Sequence, residues 1–454
     1  MDLPAGLAVA WCLLATIACL VCWLPPVRAR LAQMRRPCLW AALVALAVRL
    51  LPAALPLPVT ALVRWDIESY RLVAAAVARH QDVYDLPGRY PYLPLHLYLL
   101  AGAGWLAGHT GLPFAFVVKL PTIAADAVLA ALVAWAAAAQ GRRYSAPALG
   151  MVYALNPISL LVTAYHGQFD AIPAALLIGA RTVLAVRPRR WTVPLAGLLL
   201  GLAVAEKTWP ALLAPLVLVR VRGTRRRGLF VICAALPVLL CLALYEVRIP
   251  GGALRALHTS LTYQGYLGTW GFSELLVRAA GHEAGIARAA QLGPWVMLGA
   301  LALSYAAALY LRRDSDRIAL VIGAVYAAAS GWGVHWLSWL VPVALIGARR
   351  WAVAYLSAAG AYVIAVYLGF GGIIWGFAWF TDSLAPIAWA RVGGLCLWAA
   401  ISAASAGCCL GILWRGWSPP LRAALRSRGA PTSARPALRL GLVRETQSGV
   451  EAVS

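Results

Sequence analysis

The chain has 454 residues, of which 62% are hydrophobic and only 12% are charged, whereas soluble globular domains carry about 25% charged residues. This composition excludes an ordinary soluble protein. The net charge of +23 does not indicate a nucleic-acid partner, because the arginines fall in short clusters between apolar runs.

Apolar segments follow one another along the whole chain, and each is a candidate for the roughly 20 residues that cross a bilayer. Backbone groups in lipid have to be satisfied within the segment, so each should be a helix. The predicted fold class is therefore all-α, a polytopic transmembrane protein with about 13 helices, some of them short and one (336–348) part of a broken helix. The segments are 4–24, 38–58, 117–139, 147–165, 171–186, 191–205, 208–221, 227–246, 293–311, 317–334, 336–348, 351–371 and 390–414.

These segments suggest three parts. Residues 1–37 form an extra N-terminal helix and a cytoplasmic loop, and residues 38–414 form the main transmembrane domain, with long outer loops at 60–116 and 247–292. An apolar piece at 94–108 is too short to span and is expected to lie along the membrane interface. Residues 415–454 are basic and rich in Pro, Ser and Ala, which predicts a disordered cytoplasmic tail.

Arginine sets the predicted orientation. The arginine clusters between the segments all fall on one side, which the positive-inside rule assigns to the cytoplasm. Of the 16 carboxylates, only Asp314, Asp316, Glu445 and Glu451 share that side. Acidic residues contribute little to topology, so their gathering on the outer side indicates a polar working face there.

The first candidate site motif is Trp65-Asp66-Ile67-Glu68-Ser69-Tyr70-Arg71, directly after a predicted span. Two carboxylates and an arginine stand close together at the outer surface, where a carboxylate can take a proton from an acceptor hydroxyl. The alternative is a solvated loop with a local salt bridge.

Three further polar motifs follow on the same side, and together with the first they form four polar stations along the chain. Tyr165-His166-Gly167-Gln168-Phe169-Asp170 joins two spans, and the alternative role of Asp170 is a plain N-cap. Lys207 follows Glu206 between two short spans, where it can hold a phosphate or simply snorkel to the interface. His335 stands where one apolar run reaches the outside. Lys119 and Asp126, seven apart on one helix, are expected to form a partly buried ion pair or a structural polar contact.

In this order the stations resemble the GT-C superfamily of membrane glycosyltransferases, especially dolichyl-phosphate-glucose glucosyltransferases and bacterial enzymes that use polyprenyl-phosphate sugars. The matching residues are Asp66-x-Glu68 with Arg71, Tyr90-Pro91-Tyr92-Leu93, Lys119 with Asp126, His166-Gly167-Gln168-Phe169-Asp170, Lys207 and Val334-His335. Gln168, Asp170 and Trp336 depart from the family pattern, so glucose is not carried over as the donor.

The resemblance implies an inverting hexosyltransferase with a GT-C fold and a large first outer loop. Its donor is a polyprenyl-phosphate mannose or glucose, with arabinose open, and its acceptor is an unassigned glycan, peptide or lipid. Asp66 would be the general base and Glu68 its support. Substrate-binding roles would fall to the following residues: Arg71, Tyr90, His166, Gln168, Asp170, Lys207 and His335.

The resemblance also implies a multi-pass protein of the cell membrane whose site faces away from the cytoplasm, with membrane lipids but no nucleic acid as partners. No cofactor is expected, and a divalent metal stays an open alternative. The main alternative function is a lipid-linked sugar transporter or flippase, which would place its charged site near the bilayer midplane, often in paired repeats. A ligase for whole lipid-linked glycans and a non-enzymatic scaffold are the remaining alternatives.

Overall fold

A computed structural model describes residues 3–55, 61–86, 88–186, 189–347, 350–369 and 384–428. The described chain is almost entirely helical, as the sequence predicts. The α-helices are α1 (Leu3–Val21), α2 (Pro25–Ala32), α3 (Pro37–Ala54), α4 (Ala61–Ala78), α5 (Leu95–Thr110), α6 (Phe114–Val117), α7 (Leu120–Ala139), α8 (Ala146–Leu155), α9 (Pro157–Leu160), α10 (Ala171–Ala185), α11 (Thr192–Glu206), α12 (Ala214–Leu218), α13 (Thr224–Arg248), α14 (Gly252–Thr262), α15 (Gly271–Ala280), α16 (His282–Ala308), α17 (Asp314–Ala328), α18 (Leu340–Gly347), α19 (Arg350–Ile364) and α20 (Leu384–Arg428).

Shorter elements complete the chain. Turns of 3₁₀-helix lie at Val83–Asp85, Trp209–Leu213 and Val334–Ser338, and π-helical segments lie at Leu161–His166 and Ala365–Gly369. The two strands are β1 (Tyr266–Leu267) and β2 (Gly331–Trp332), which pair antiparallel.

The count of about 13 transmembrane helices is not confirmed. Helices occupy the predicted segments, but among the described residues only six are long and apolar enough to cross a membrane. They are Pro37–Ala54, Phe114–Ala139, Ala146–His166, Thr224–Arg248, His282–Ala308 and Arg391–Trp414. A bent pair, Val9–Val21 with Pro25–Ala32, would make a seventh. Five other apolar helices among the described residues have 10–17 residues. The protein is thus a helical membrane protein whose described helices include six candidate spans.

The ends of the predicted parts also differ from expectation. The first outer loop contains two helices, α4 and α5, which pack against each other, so Asp66 lies on a helix rather than in a loop. The last helix, α20, continues through Arg428, into the segment that was predicted to be a disordered tail. The rest of that tail, 429–454, lies outside the described residues.

The centre of the bundle is formed by α3, α7 and α8, which pack against one another. On one side, α10 connects α7 to α11, and α11 packs against α13. On the other side, α17 contacts α16, α20 and α18, and α18 returns to α7 and α8. The helices that carry the four predicted stations therefore meet around the central group.

A buried ion pair lies inside this central group. Arg49 of α3 is 0% exposed, and its Nε donates to Asp126 Oδ2 at 2.7 Å. The same guanidinium donates to the Ala154 carbonyl and to Ser159 Oγ, each at 2.7 Å, and Tyr153 Oη donates to Asp126 Oδ1 at 2.5 Å. A buried charge needs such partners, and these partners join α3 to α7, α8 and α9.

The expected pairing of Lys119 with Asp126 is wrong. Lys119 Nζ instead donates to the Tyr165 carbonyl oxygen at 2.9 Å, while Asp126 is taken by Arg49. Seven residues along a helix are two turns, about 10.5 Å, and each of these charges finds a closer partner on a neighbouring helix.

Close backbone packing holds the end of α11, where Glu206 and Lys207 stand. Gly197 and Gly201 form a G-x-x-x-G pattern, which lets two helices approach closely. A Cβ at Gly197 would lie 2.6 Å from the Phe230 carbonyl oxygen of α13, and a Cβ at Gly201 would overlap the Ala234 carbonyl group. The approach of α11 to α13 therefore requires glycine at both positions.

Replacing Gly201 by alanine should destabilise the protein by about 1–3 kcal/mol, because the new methyl group forces α11 away from α13. Thermal unfolding of purified protein in detergent measures this. The matched control is Gly299→Ala in α16, where a Cβ meets nothing within 4 Å. Equal unfolding temperatures for the two variants would contradict the close packing.

Candidate active site

Two of the four predicted stations meet directly at Asp66. His166 Nε2 lies 2.8 Å from Asp66 Oδ2, and Gln168 Nε2 donates to the same oxygen at 2.6 Å. His166 is 0% exposed, whereas the Asp66 side chain keeps 18% of its surface exposed. The Asp66 carboxylate is therefore held by buried polar side chains and is itself partly exposed.

The local backbone explains how His166 and Gln168 both reach Asp66. The long helix through α8 and α9 ends in the π-helical segment Leu161–His166, and π-helical turns frequently occur at functional sites. Gly167 then adopts φ 84°, a left-handed conformation that glycine takes without strain. A Cβ there would lie 3.0 Å from Ile67 Cδ1. The chain can thus reverse tightly beneath α4.

Asp66 stays ionised in this surrounding. Burial acts to raise its pKa, but the hydrogen bonds from His166 and Gln168, together with the nearby His335, outweigh burial. The pKa of Asp66 is therefore held below its ordinary value of 3.8. Because folding lowers this pKa, the ionised carboxylate stabilises the fold at neutral pH, and that contribution is lost as the pH falls through the folded-state pKa.

A second buried carboxylate, Asp170, lies on the other side of the same turn. It occupies the N-cap of α10, but its side chain makes no capping bond, so the plain N-cap role is wrong. Lys207 Nζ lies 2.9 Å from Asp170 Oδ1, and Trp339 Nε1 donates to that oxygen at 2.6 Å. His335 Nε2 lies 3.9 Å from Oδ2. Asp170 thus gathers two predicted stations, Lys207 and His335.

Lys207 links the two carboxylates. Besides Asp170, its ammonium group donates to Gln168 Oε1 at 3.5 Å, and Gln168 in turn holds Asp66. The ammonium also lies 4.6 Å from the ring centre of Phe169 and 5.3 Å from that of Tyr92. Such cation–π contacts favour a desolvated cation, so Lys207 is held rigidly.

A further acid–histidine pair, which the sequence analysis missed, lies behind Lys207. His96 Nδ1 and Glu206 Oε1 are 2.6 Å apart and both residues are buried. The His96 ring stacks on Phe169 with centroids 3.6 Å apart. The only sequence signal for this pair is the position of His96 shortly after Tyr90-Pro91-Tyr92-Leu93. The pair fixes α5 against the end of α11.

Two aromatic partners also escaped the sequence analysis. Trp339 bonds Asp170, and Tyr367 Oη lies 2.5 Å from His166 Nδ1. Both come from the C-terminal third of the chain, in apolar segments full of Trp and Tyr, so no local pattern distinguishes them. Only their distance to a polar partner reveals their role.

Three predicted site residues lie away from this cluster. Glu68 and Arg71 are both exposed and form a bidentate pair with each other at 2.5 and 2.8 Å, the local salt bridge that the sequence left open. Hydrogen bonding to Arg71 holds the pKa of Glu68 below its ordinary value. Tyr90 is buried, and its hydroxyl donates to the Leu93 carbonyl at 2.9 Å. The structure places none of the three against Asp66.

Among the described residues, no group of three or more His, Cys, Asp or Glu side chains is arranged to hold a metal ion. The functional groups that the described residues bring to the site are carboxylate, imidazole, amide and ammonium groups.

Replacing Lys207 by methionine should lower the free energy of unfolding by about 3–5 kcal/mol, because it leaves the Asp170 charge buried without its cation. Thermal unfolding measures the loss. The double variant Asp170→Asn, Lys207→Met removes both charges and should recover most of it. If the single and double variants unfold alike, the pair does not stabilise the fold as its geometry indicates.

Comparison with known proteins now adds to this geometry. The chain matches the family model of Glycosyltransferase family 87 over residues 90–332, which is just over half of its length. The match includes His166, Gln168, Asp170 and Lys207, while Asp66 precedes it and His335 follows it. A search of curated proteins gives no match. The chain is a helical membrane protein, and it belongs to glycosyltransferase family 87.

Proposed function

We propose that the protein is an inverting glycosyltransferase that moves a single hexose, mannose or glucose, from polyprenyl phosphate to an acceptor hydroxyl on the outer face of the cell membrane. One observation carries this proposal. Asp66 is an accessible carboxylate whose Oδ2 is already occupied by His166 and Gln168, which leaves Oδ1 available as a base.

The two oxygens of Asp66 have different tasks in this mechanism. Oδ2 accepts two hydrogen bonds and fixes the plane of the carboxylate. Oδ1 takes the proton from the acceptor hydroxyl as that oxygen attacks the anomeric carbon. The bond from the anomeric carbon to the phosphate oxygen breaks with inversion, and polyprenyl phosphate leaves as an anion. Holding the base in one orientation supplies the positioning that such a displacement needs.

Lys207 and His335 are the proposed contacts to the donor phosphate. Both lie at Asp170, which partly offsets the Lys207 charge and keeps the ammonium group in place. A positive charge held before the reaction stabilises negative charge that develops on the leaving phosphate. Tyr92 and Phe169 line the same side of Lys207, and aromatic faces suit the C–H surface of a sugar ring.

The positions of the helix ends support an outward-facing site. Asp66, His166 and Lys207 lie at one end of their helices, while α7 runs away from Lys119 towards Arg142 and Arg143. In the same way α13 and α17 begin beside arginine clusters. If those clusters are cytoplasmic, as the positive-inside rule holds, the polar cluster faces outward.

A transporter is the weaker candidate. Its site would lie near the midplane of the membrane between broken repeats, whereas here the charged groups gather at helix ends. Membership of a glycosyltransferase family also favours transfer over transport. The acidic pair Asp66 and Asp170 with Lys207 suits a reaction with a proton acceptor and an anionic leaving group.

Replacing Asp66 by asparagine should reduce sugar transfer by about 100-fold or more, because the general base is lost while the shape of the site stays. Purified protein is given short-chain polyprenyl-phosphate mannose or glucose, and consumption of each donor is followed with membrane-lipid extracts as the acceptor source. The matched control is Asp85→Asn, which removes an exposed carboxylate from the same region and should leave transfer unchanged. Equal transfer by the Asp66 variant and wild type would exclude Asp66 as the base.

The rate of transfer should stay level between about pH 5 and pH 8, because the pKa of Asp66 is held below 3.8 and its basic form is present throughout. The basic form of Asp66 is lost only as the pH falls through the pKa of Asp66, which lies below 3.8. Initial rates at saturating donor across this range test the prediction. A fall in rate centred between about pH 5 and pH 7 would contradict it.

A further inference from the structure

A hydrogen-bonded chain of three residues runs from the C-terminal part of the bundle to the base. Tyr367 Oη lies 2.5 Å from His166 Nδ1, and His166 Nε2 lies 2.8 Å from Asp66 Oδ2. Tyr367 is 1% exposed and stands in the π-helical segment Ala365–Gly369. A histidine buried between these two partners can bond both in only a few protonation states.

The chemistry of the partners excludes one tautomer. A carboxylate oxygen only accepts, so His166 must carry a proton on Nε2 to bond Asp66. A neutral imidazole then has a lone pair on Nδ1, and the Tyr367 hydroxyl, protonated at neutral pH, donates to it. In this state each of the two ring nitrogens has a suitable partner. The opposite tautomer would turn a lone pair towards the Asp66 carboxylate.

We propose that Tyr367 is a positioning residue that holds His166 in the neutral tautomer with its proton on Nε2, and thereby holds Asp66 ready as the base. This inference rests on the proposed role of Asp66. Gln168 acts in parallel, because Lys207 donates to its amide oxygen and leaves its NH₂ group to Asp66. Two hydrogen-bond chains therefore end on one oxygen and leave the other for chemistry.

The polar groups around His166 explain why its tautomer has to be fixed. His335 faces His166 with ring centroids 6.0 Å apart. Lys119 bonds the carbonyl of the preceding residue, and Lys207 lies one hydrogen bond beyond Gln168. An imidazolium at this position would bind the carboxylate more tightly and make it a weaker base, so the neutral ring suits the proposed role of Asp66. The Tyr367 hydroxyl, by donating to Nδ1, occupies the position that a second proton would take.

The test removes one oxygen atom. Tyr367→Phe keeps the ring, which packs edge-to-face on Tyr165 with centroids 5.9 Å apart. We expect kcat to fall roughly 10-fold to 100-fold, a part of what a positioned base contributes, with the KM for the donor almost unchanged.

Tyr362→Phe is the matched control. Tyr362 lies on α19, five residues before Tyr367, and its ring faces Trp270 at 6.3 Å between centroids. This variant should keep the kcat and the level pH profile of the wild type. If Tyr367→Phe behaves like Tyr362→Phe while Asp66→Asn is inactive, the inference is overturned and the proposed function stands.

A second measurement does not depend on transfer. The protein has seven histidines, and ¹⁵N-histidine spectra of wild type and of His166→Gln identify the His166 resonances by difference. At about pH 7.5 we expect the neutral form with the proton on Nε2 in the wild type, and a mixture of forms in Tyr367→Phe. An imidazolium, or the tautomer with its proton on Nδ1, in the wild type would overturn the inference. A wild type that shows the expected tautomer but consumes no polyprenyl-phosphate sugar would instead count against the proposed function.

Discussion

The buried pair of Arg49 and Asp126 joins the helices on which the rest of the structure depends. A single charge inside an apolar bundle is costly, so each member of the pair needs the other and needs additional hydrogen bonds. Those bonds go to the Ala154 carbonyl and to Ser159 and Tyr153. Because α3, α7 and α8 are fixed at this point, the π-helical end of the same long helix reaches the site in a defined position. Paired buried polar groups then recur towards the site, as His96 with Glu206 and Lys207 with Asp170.

The site itself is assembled from helix ends. A helix end offers side chains and backbone groups that are not committed to the helix, and here the helix ends that carry His166, Asp170 and Lys207 meet. The Gly197 and Gly201 contact brings α11 close to α13 and holds Lys207 at its place. The left-handed Gly167 turns the chain so that Gln168 donates to Asp66 while Asp170, two residues later, faces Lys207. The resulting site is buried at His166 and Asp170 and partly exposed at Asp66.

The two aspartates of the site lie in different environments. Among the described residues, Asp66 accepts hydrogen bonds from His166 and Gln168 on one oxygen, while Asp170 is buried and holds Lys207 and Trp339. Asp66 keeps an exposed face, which suits the proposed base, whereas Asp170 has almost none. Glu68, only two residues from Asp66, points away on the helix and pairs with Arg71, since side chains two apart on a helix lie on different faces.

The sequence alone determined that this is an all-helical membrane protein, where its apolar segments lie, and that Asp66, His166, Gln168, Asp170, Lys207 and His335 gather at one end. Those results follow from local properties, namely hydropathy, arginine position and the order of polar residues between spans. Only the tertiary structure decided which polar groups pair. Asp126 binds Arg49 rather than Lys119, and Tyr367 reaches His166 across 201 positions. A hydrogen bond depends on the distance between two atoms, and in a bundle that distance is set by how helices pack, which no local pattern in the chain records.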